Sequence, residues 1–242
     1  MSYRAILVFM SPLMLFTHWS CSTEELVELT RLEGQYIQLL DAVYHGEADE
    51  SFILIQKLEA SLIPWRHKRR PQSPTLRFHL RQAEISFNDA EYAIERKDLD
   101  LAKTLLDRAT YSLYAADPIS FKASYLGNFY DFFSNWQDLN YAIHDPMLCL
   151  LEWQELLFRA NQLEENWALI AELLPNSNLY AWSENRYNEF AVARDELGES
   201  WQQFLFSLET GDQCIGATNS LAVAENLWKL LRLLPTEEST LK

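Results

Sequence analysis

The chain has 242 residues, 48% of them hydrophobic, with 8 Trp and only 6 Gly, which is ample for a large core. Its formal charge of −15 repels phosphate backbones over most of the surface and excludes nucleic-acid binding as a main activity. Leu, Ala, Glu and Gln predominate, and these helix formers point to an all-α fold.

The first residues carry one positive charge, Arg4, followed by an apolar run from Ala5 to Phe16. The run is shorter than the ~20 residues that span a bilayer, and its length and flanks suit a secretory signal. A small residue, Ser20, then precedes Cys21. This arrangement resembles the signal of bacterial lipoproteins. The resemblance implies that Cys21 is lipidated, that it becomes the mature N-terminus, and that the protein is membrane-anchored in the cell envelope. Cleavage after Ser22 is the alternative, and it would give a soluble periplasmic or secreted protein. An uncleaved apolar N-terminus is the third reading.

Beyond this segment, Pro64, Pro118, Pro175 and Pro235 punctuate the chain at spacings of 54, 57 and 60 residues. Proline cannot continue a helix and pushes the residue before it out of the α region. One further break precedes each of these prolines: HGEAD (45–49), RKDLD (96–100), HDP (144–146) and TGD (210–212). Each break offers an aspartate to cap the next helix: Asp49, Asp98, Asp145 and Asp212. At HDP, Pro146 suits the first helical position. The punctuation predicts four helical hairpins, 23–64, 74–118, 119–175 and 177–235, with a C-terminal tail at 236–242. The PQSP stretch (71–74) is the best internal linker.

Within the hairpins the apolar residues recur at spacings of three and four. Hairpin two shows Leu99, Ala102, Leu106, Ala109 and Leu113. Hairpin three shows Trp153, Leu156, Ala160, Leu163, Trp167, Ile170 and Leu174 in its second helix. In hairpin four, Tyr187, Phe190, Leu197, Trp201, Phe204 and Leu208 mark the first helix. Cys214, Ala217, Leu221, Ala224, Trp228 and Leu231 mark the second. Arg194 falls on the first of these stripes and must snorkel or meet a carboxylate. About eight helices in a compact bundle follow, with two stacked four-helix layers as one arrangement. A short α-solenoid is the alternative.

Six basic residues, Arg66, Lys68, Arg69, Arg70, Arg77 and Arg81, lie in a stretch without an acid. The stretch reads either as a solvated loop leaning on the acidic half of the chain or as a docking patch. Such a patch would take phosphate-bearing lipid or an acidic partner.

Chemical motifs are scarce. If Cys21 is the anchor, Cys149 and Cys214 remain, each near the start of a second helix and on an apolar stripe. Parallel packing of the last two hairpins would bring both thiols to one end, where an oxidising compartment would allow a disulfide. Two buried cysteines are the plain alternative. The histidines show no metal-ligand spacing, although His144, Met147 and Cys149 form a conceivable soft-metal set. Phosphate-binding glycine loops and nucleophile elbows are missing. No cofactor is expected, and the chain is not expected to be an enzyme.

Aromatics make up 13% of the chain. Around 124–146, Tyr125, Phe129, Tyr130, Phe132, Phe133, Trp136 and Tyr141 surround their helix instead of lining one side, which marks a central helix. Otherwise Tyr125, Phe129, Tyr130, Phe133 and Trp136, with Tyr180 and Trp182, line a groove for an apolar ligand, a glycan or a partner helix. The sequence therefore predicts a helical interaction or scaffold protein at a bacterial envelope, held by a lipid anchor and bound to a protein partner. A small-ligand binder and a metal-binding bundle are the alternatives.

Overall fold

The computed structural model describes residues 23–68, 74–116, 124–147 and 150–234, and every regular element among them is a helix. The elements are α1 (Thr23–Tyr44), α2 (Ala48–Lys68), α3 (Pro74–Glu95), α4 (Leu99–Ala116) and α5 (Tyr125–Ile143). They continue with α6 (Leu150–Ala171), the single turn α7 (Ser177–Tyr180), α8 (Glu184–Thr210) and α9 (Gln213–Leu231). The compact bundle of helical hairpins is thus the architecture.

The helices close into two four-membered rings. In the first, α1 packs on α2, α2 on α3, α3 on α4, and α4 returns to α1. In the second, α5 packs on α6, α6 on α8, α8 on α9, and α9 returns to α5. Buried residues of both rings form one continuous apolar cluster. α5 sits at its centre. Tyr130 meets Tyr36 of α1 and Tyr111 and Tyr114 of α4. Phe132 and Trp136 point the other way, to Trp167 and Trp201. A helix buried on several sides must be apolar on several sides, and that explains its composition.

The turns follow from local chemistry. Gly46 and Lys97 both adopt left-handed backbone, with φ of 84° and 61°. In each turn the next amide bonds back to the carbonyl five residues earlier, Glu47 to Ala42 and Asp98 to Ala93, both at 2.9 Å. The α1–α2 and α3–α4 turns are therefore copies of one geometry. Asp98 accepts from the Leu101 amide at 3.2 Å and Asp212 from Ile215 at 3.0 Å, as N-caps do. Ser124 caps α5 through Gly127, and Ser183 caps α8 through Arg186.

Several expectations need correction. Pro64 does not end α2, which runs on to Lys68. Proline frees the carbonyl four residues back, and that residue, Ala60, lies on the solvent side where water can satisfy it. Asp49 stands inside the first turn of α2 and pairs with Lys97 at 3.2 Å across the two turns. Asp145 accepts from Met147 at 2.8 Å in a tight turn, and α6 begins only at Leu150, so Pro146 is not its first residue. Leu174 lies beyond the end of α6 and is exposed. In α9 the buried stripe is Gly216, Ser220, Val223, Leu227 and Leu230, while Leu221 and Cys214 face water. Trp228 and Leu231 are buried as expected.

The α9 shift has a steric cause. A Cβ on Gly216 would lie 3.2 Å from Ile143 Cδ1 and 3.6 Å from Ser207 Oγ. Small residues at this face let α9 approach α5 and α8 closely, and larger ones turn outward. Arg194 behaves as predicted, donating to Asp195 at 2.9 Å.

Candidate functional site: a buried carboxyl beside an apolar cavity

In α1 the residues Leu29, Leu32, Tyr36, Ile37, Leu40 and Val43 are buried, as amphipathic spacing requires. Glu33 falls on the same stripe, four residues after Leu29 and three before Tyr36, and only 5% of its surface is exposed. Its Oε2 accepts from the Tyr180 hydroxyl at 3.0 Å. That hydroxyl in turn accepts from the Tyr125 amide at 3.2 Å. One buried chain of bonds thereby ties α1, α7 and the start of α5. Thr30 Oγ1, donating to Leu179 O at 3.1 Å, adds a second tie one turn away.

The other carboxyl oxygen, Glu33 Oε1, is buried without a hydrogen-bond partner. Burial away from water pushes the Glu33 carboxyl up to about 7, against the lowering effect of the Ser124 and Tyr180 hydroxyls. Near neutrality the group therefore exchanges its proton, which an ordinary glutamate does not.

Glu33 borders a cavity of about 50 Å³ inside the first ring, lined by Leu29, Leu58, Leu62, Phe87, Leu113 and Leu126 among others. Room for a few waters is present, and the polar edge is supplied by Glu33, Tyr36, Thr110 and Tyr114. A drug-sized ligand needs several hundred Å³. Next to it runs a second polar cluster. Tyr36 and Thr110 hydroxyls meet at 2.6 Å, and both lie within hydrogen-bond distance of Leu106 O, at 3.2 and 2.9 Å, so one donates to the other and the other to the carbonyl. Asp107 Oδ1 accepts from Tyr130 at 3.1 Å and Ser134 at 2.8 Å. Burial raises the Asp107 carboxyl above its usual range, and Tyr36 is likewise raised.

Of the two readings of the seven rings, core or groove, the core is the one the structure shows. Tyr125, Phe129, Tyr130, Phe133, Trp136, Tyr180 and Trp182 are all buried, so they fill the core and line no open surface. Tyr180 does reach the candidate site, through its hydroxyl on Glu33. Cys214 is an exposed free thiol and not the buried stripe residue expected. Cys21, Cys149, Arg69 and Arg70 lie outside the described residues, as do the side chains of Arg66 and Lys68. Arg77 and Arg81 are exposed on α3. Among the described residues no group of His, Cys, Asp and Glu could hold a metal ion. None of the described helices is long and apolar enough to cross a membrane.

Glu33 escaped the sequence reading, yet its signal was present. An acid on the 29–33–36–40–43 spacing of α1 must either break the stripe or be buried and bonded. Comparison with protein-family models, with curated proteins and with solved structures found no match.

Proposed function

We propose that this is a membrane-tethered helical interaction protein of a bacterial cell envelope. The lipoprotein-like segment ending at Cys21 supports the tether. One observation bears on the interaction role: large aliphatic side chains stand exposed at the end of α6 and on α8. Leu169 at the end of α6 is 69% exposed, Leu173 and Leu174 follow it at 40% and 47%, and Val192 of α8 is 55% exposed. Two contacts fix the α6–α8 register. Gln202 bonds Glu164 at 2.7 Å, and Trp167 lies against Gly198. In that register residue 173 is level with residue 192. Leu169, Leu173 and Leu174, exposed within six residues of one another, form an aliphatic strip, and such a strip, unlike a single exposed residue, supports an interaction surface.

The test is co-purification from gently solubilised native membranes, comparing the wild-type chain with Leu169→Glu/Val192→Glu. Both residues are exposed, so the fold survives the change. A partner that is retained by the wild type and lost by the variant is expected. A partner-free monomer in both would overturn the reading. The intact mass of the membrane fraction tests the tether separately, a start at Cys21 with acyl chains being the expected result.

A further inference from the structure

The first ring is electrically polarised along its length. Its two three-residue turns lie at one end, and the chain there reads Asp41, Glu47, Asp49 and Glu50 in one turn region and Glu95, Asp98 and Asp100 in the other, an excess of acids over Arg96, Lys97 and Lys103, of which Lys97 pairs with Asp49 and Lys103 with Asp100. The up-down order of α1–α4 places the start of α1, the end of α2, the start of α3 and the end of α4 at the opposite end. There the sequence is free of acids from Ala60 to Ala83 and from Arg108 to Ala116. The exceptions are Glu24, Glu25 and Glu28 in the first turns of α1 and Asp117, which directly follows α4 in the sequence.

α3 is only partly covered where it begins, with Leu76, His79, Leu80 and Gln82 half-buried. None of residues 74–82 is buried, and the buried residues of the helix begin at Ala83. Arg77 and Arg81, four residues apart and so on one face, are exposed. Neither has an ion-pair partner among the described residues. Phe78 lies beside them, 58% exposed, with its ring edge against His79. An exposed aromatic ring flanked by two arginines that have no ion-pair partner among the described residues, in a chain of net charge −15, makes a local cationic and aromatic surface suited to an anionic counterpart. It has the composition of helices that lie in the headgroup region of a bilayer. The chain preceding Thr23, which holds the apolar run and Cys21, joins α1 at this same end.

We propose that the open end of the first ring is a membrane-docking face, in which Arg77 and Arg81 bind the phosphates of anionic phospholipid and Phe78 inserts among the headgroups. The acidic turns then point away from the bilayer, and the orientation of the tethered protein is fixed. The proposal deepens the tethered reading by stating which end meets the membrane, and it can fail independently of it.

The experiment is vesicle co-sedimentation of the full chain, using phosphatidylcholine alone and phosphatidylcholine mixed with phosphatidylglycerol. The apolar N-terminal segment contributes to both. The docking face contributes only where anionic lipid is present. Arg77→Gln/Arg81→Gln is expected to lower partitioning onto the anionic vesicles about 30-fold, near fivefold per arginine, and to leave neutral vesicles unchanged. Phe78→Ala should weaken binding on the anionic vesicles by a smaller factor. Arg159→Gln/Lys229→Gln removes the same charge from the second ring and should have little effect. Equal binding of wild type and R77Q/R81Q to anionic vesicles would overturn the docking face, and so would an equal loss from the second-ring variant. Circular dichroism of each variant confirms that the helices remain. Absence of wild-type binding to neutral vesicles, with the anionic increment intact, would count against the tether and leave the docking face standing.

Discussion

In the first ring the interior is largely aliphatic and leaves a cavity of about 50 Å³ beside Glu33. In the second, Trp136, Trp201 and Phe204 meet within 5.0–5.8 Å of one another, two of the three pairs edge to face. Small residues, Gly198, Ser200, Ser207, Gly216 and Ser220, close the remaining gaps there. Similar helix counts and connections thus give one ring with a cavity and titratable groups, and one whose centre is filled by interlocked rings. Slack and ionisable groups go together because a carboxyl can stay buried only where hydroxyls and room for water lower its cost. Dense aromatic packing leaves neither.

The comparison breaks most sharply at Trp201, which is fully buried. Trp201→Ala should cost about 3–5 kcal/mol of stability by denaturant titration. A loss below about 1 kcal/mol would mean that the second ring is not tightly packed.

Next comes pH. The folded protein holds the Glu33 proton to about 7, whereas the ordinary value is 4.5. Between these values the unfolded chain has lost a proton that the folded one keeps, so unfolding releases it. The contribution of Glu33 is therefore fully present below pH 4.5, falls as pH rises, and is gone above about 7. Glu33→Gln should flatten this slope, making the variant more stable than wild type above pH 7, by up to about 3 kcal/mol. Parallel pH profiles of the two would place the titration elsewhere.

A matched pair of enlargements sharpens the contrast further. Gly216→Val meets Ile143 and Ser207 at once and should cost about 1–3 kcal/mol, with Ile143→Ala recovering part of it. Leu113→Phe adds volume at the cavity wall and should change stability by less than about 1 kcal/mol. Equal costs would erase the distinction between the rings.

The smallest effect is expected at the surface. Arg232 donates to both oxygens of Asp41 at 2.8 Å, but its side chain is 53% exposed. Arg232→Ala should cost about 0.5–1 kcal/mol, less at high salt.

Much of this was legible in the sequence. The stripe of α6 from Leu156 through Ile170 is the buried one, and the crowding of rings around α5 marked the central helix. Where the reading slipped, the reason is physical. On α9 the eye follows Leu221 and Cys214, because hydropathy rewards large side chains. The contact there needs Gly216 and Ser220, because helix axes come close only over small ones. The rings near 124–146 were read both as core and as groove, since sequence gives the faces of a helix but not what covers them. Glu33 shows the same limit. Its position on the stripe was visible, but its partner Tyr180 is 147 residues away.

That separation bears on how the chain folds. α1 completes its burial only through distant segments: Tyr180 on Glu33, Leu179 on Thr30, Trp228 against Tyr44, and Arg232 on Asp41, 191 residues apart. The α3–α4 hairpin closes locally and early. The burial of α1 must instead wait for α7 and α9, because long loops are closed at an entropic cost before their contacts repay it. Until α9 arrives, Tyr44 and the neighbouring apolar face of α1 stay open to wrong partners, and this segment is where aggregation during synthesis would begin.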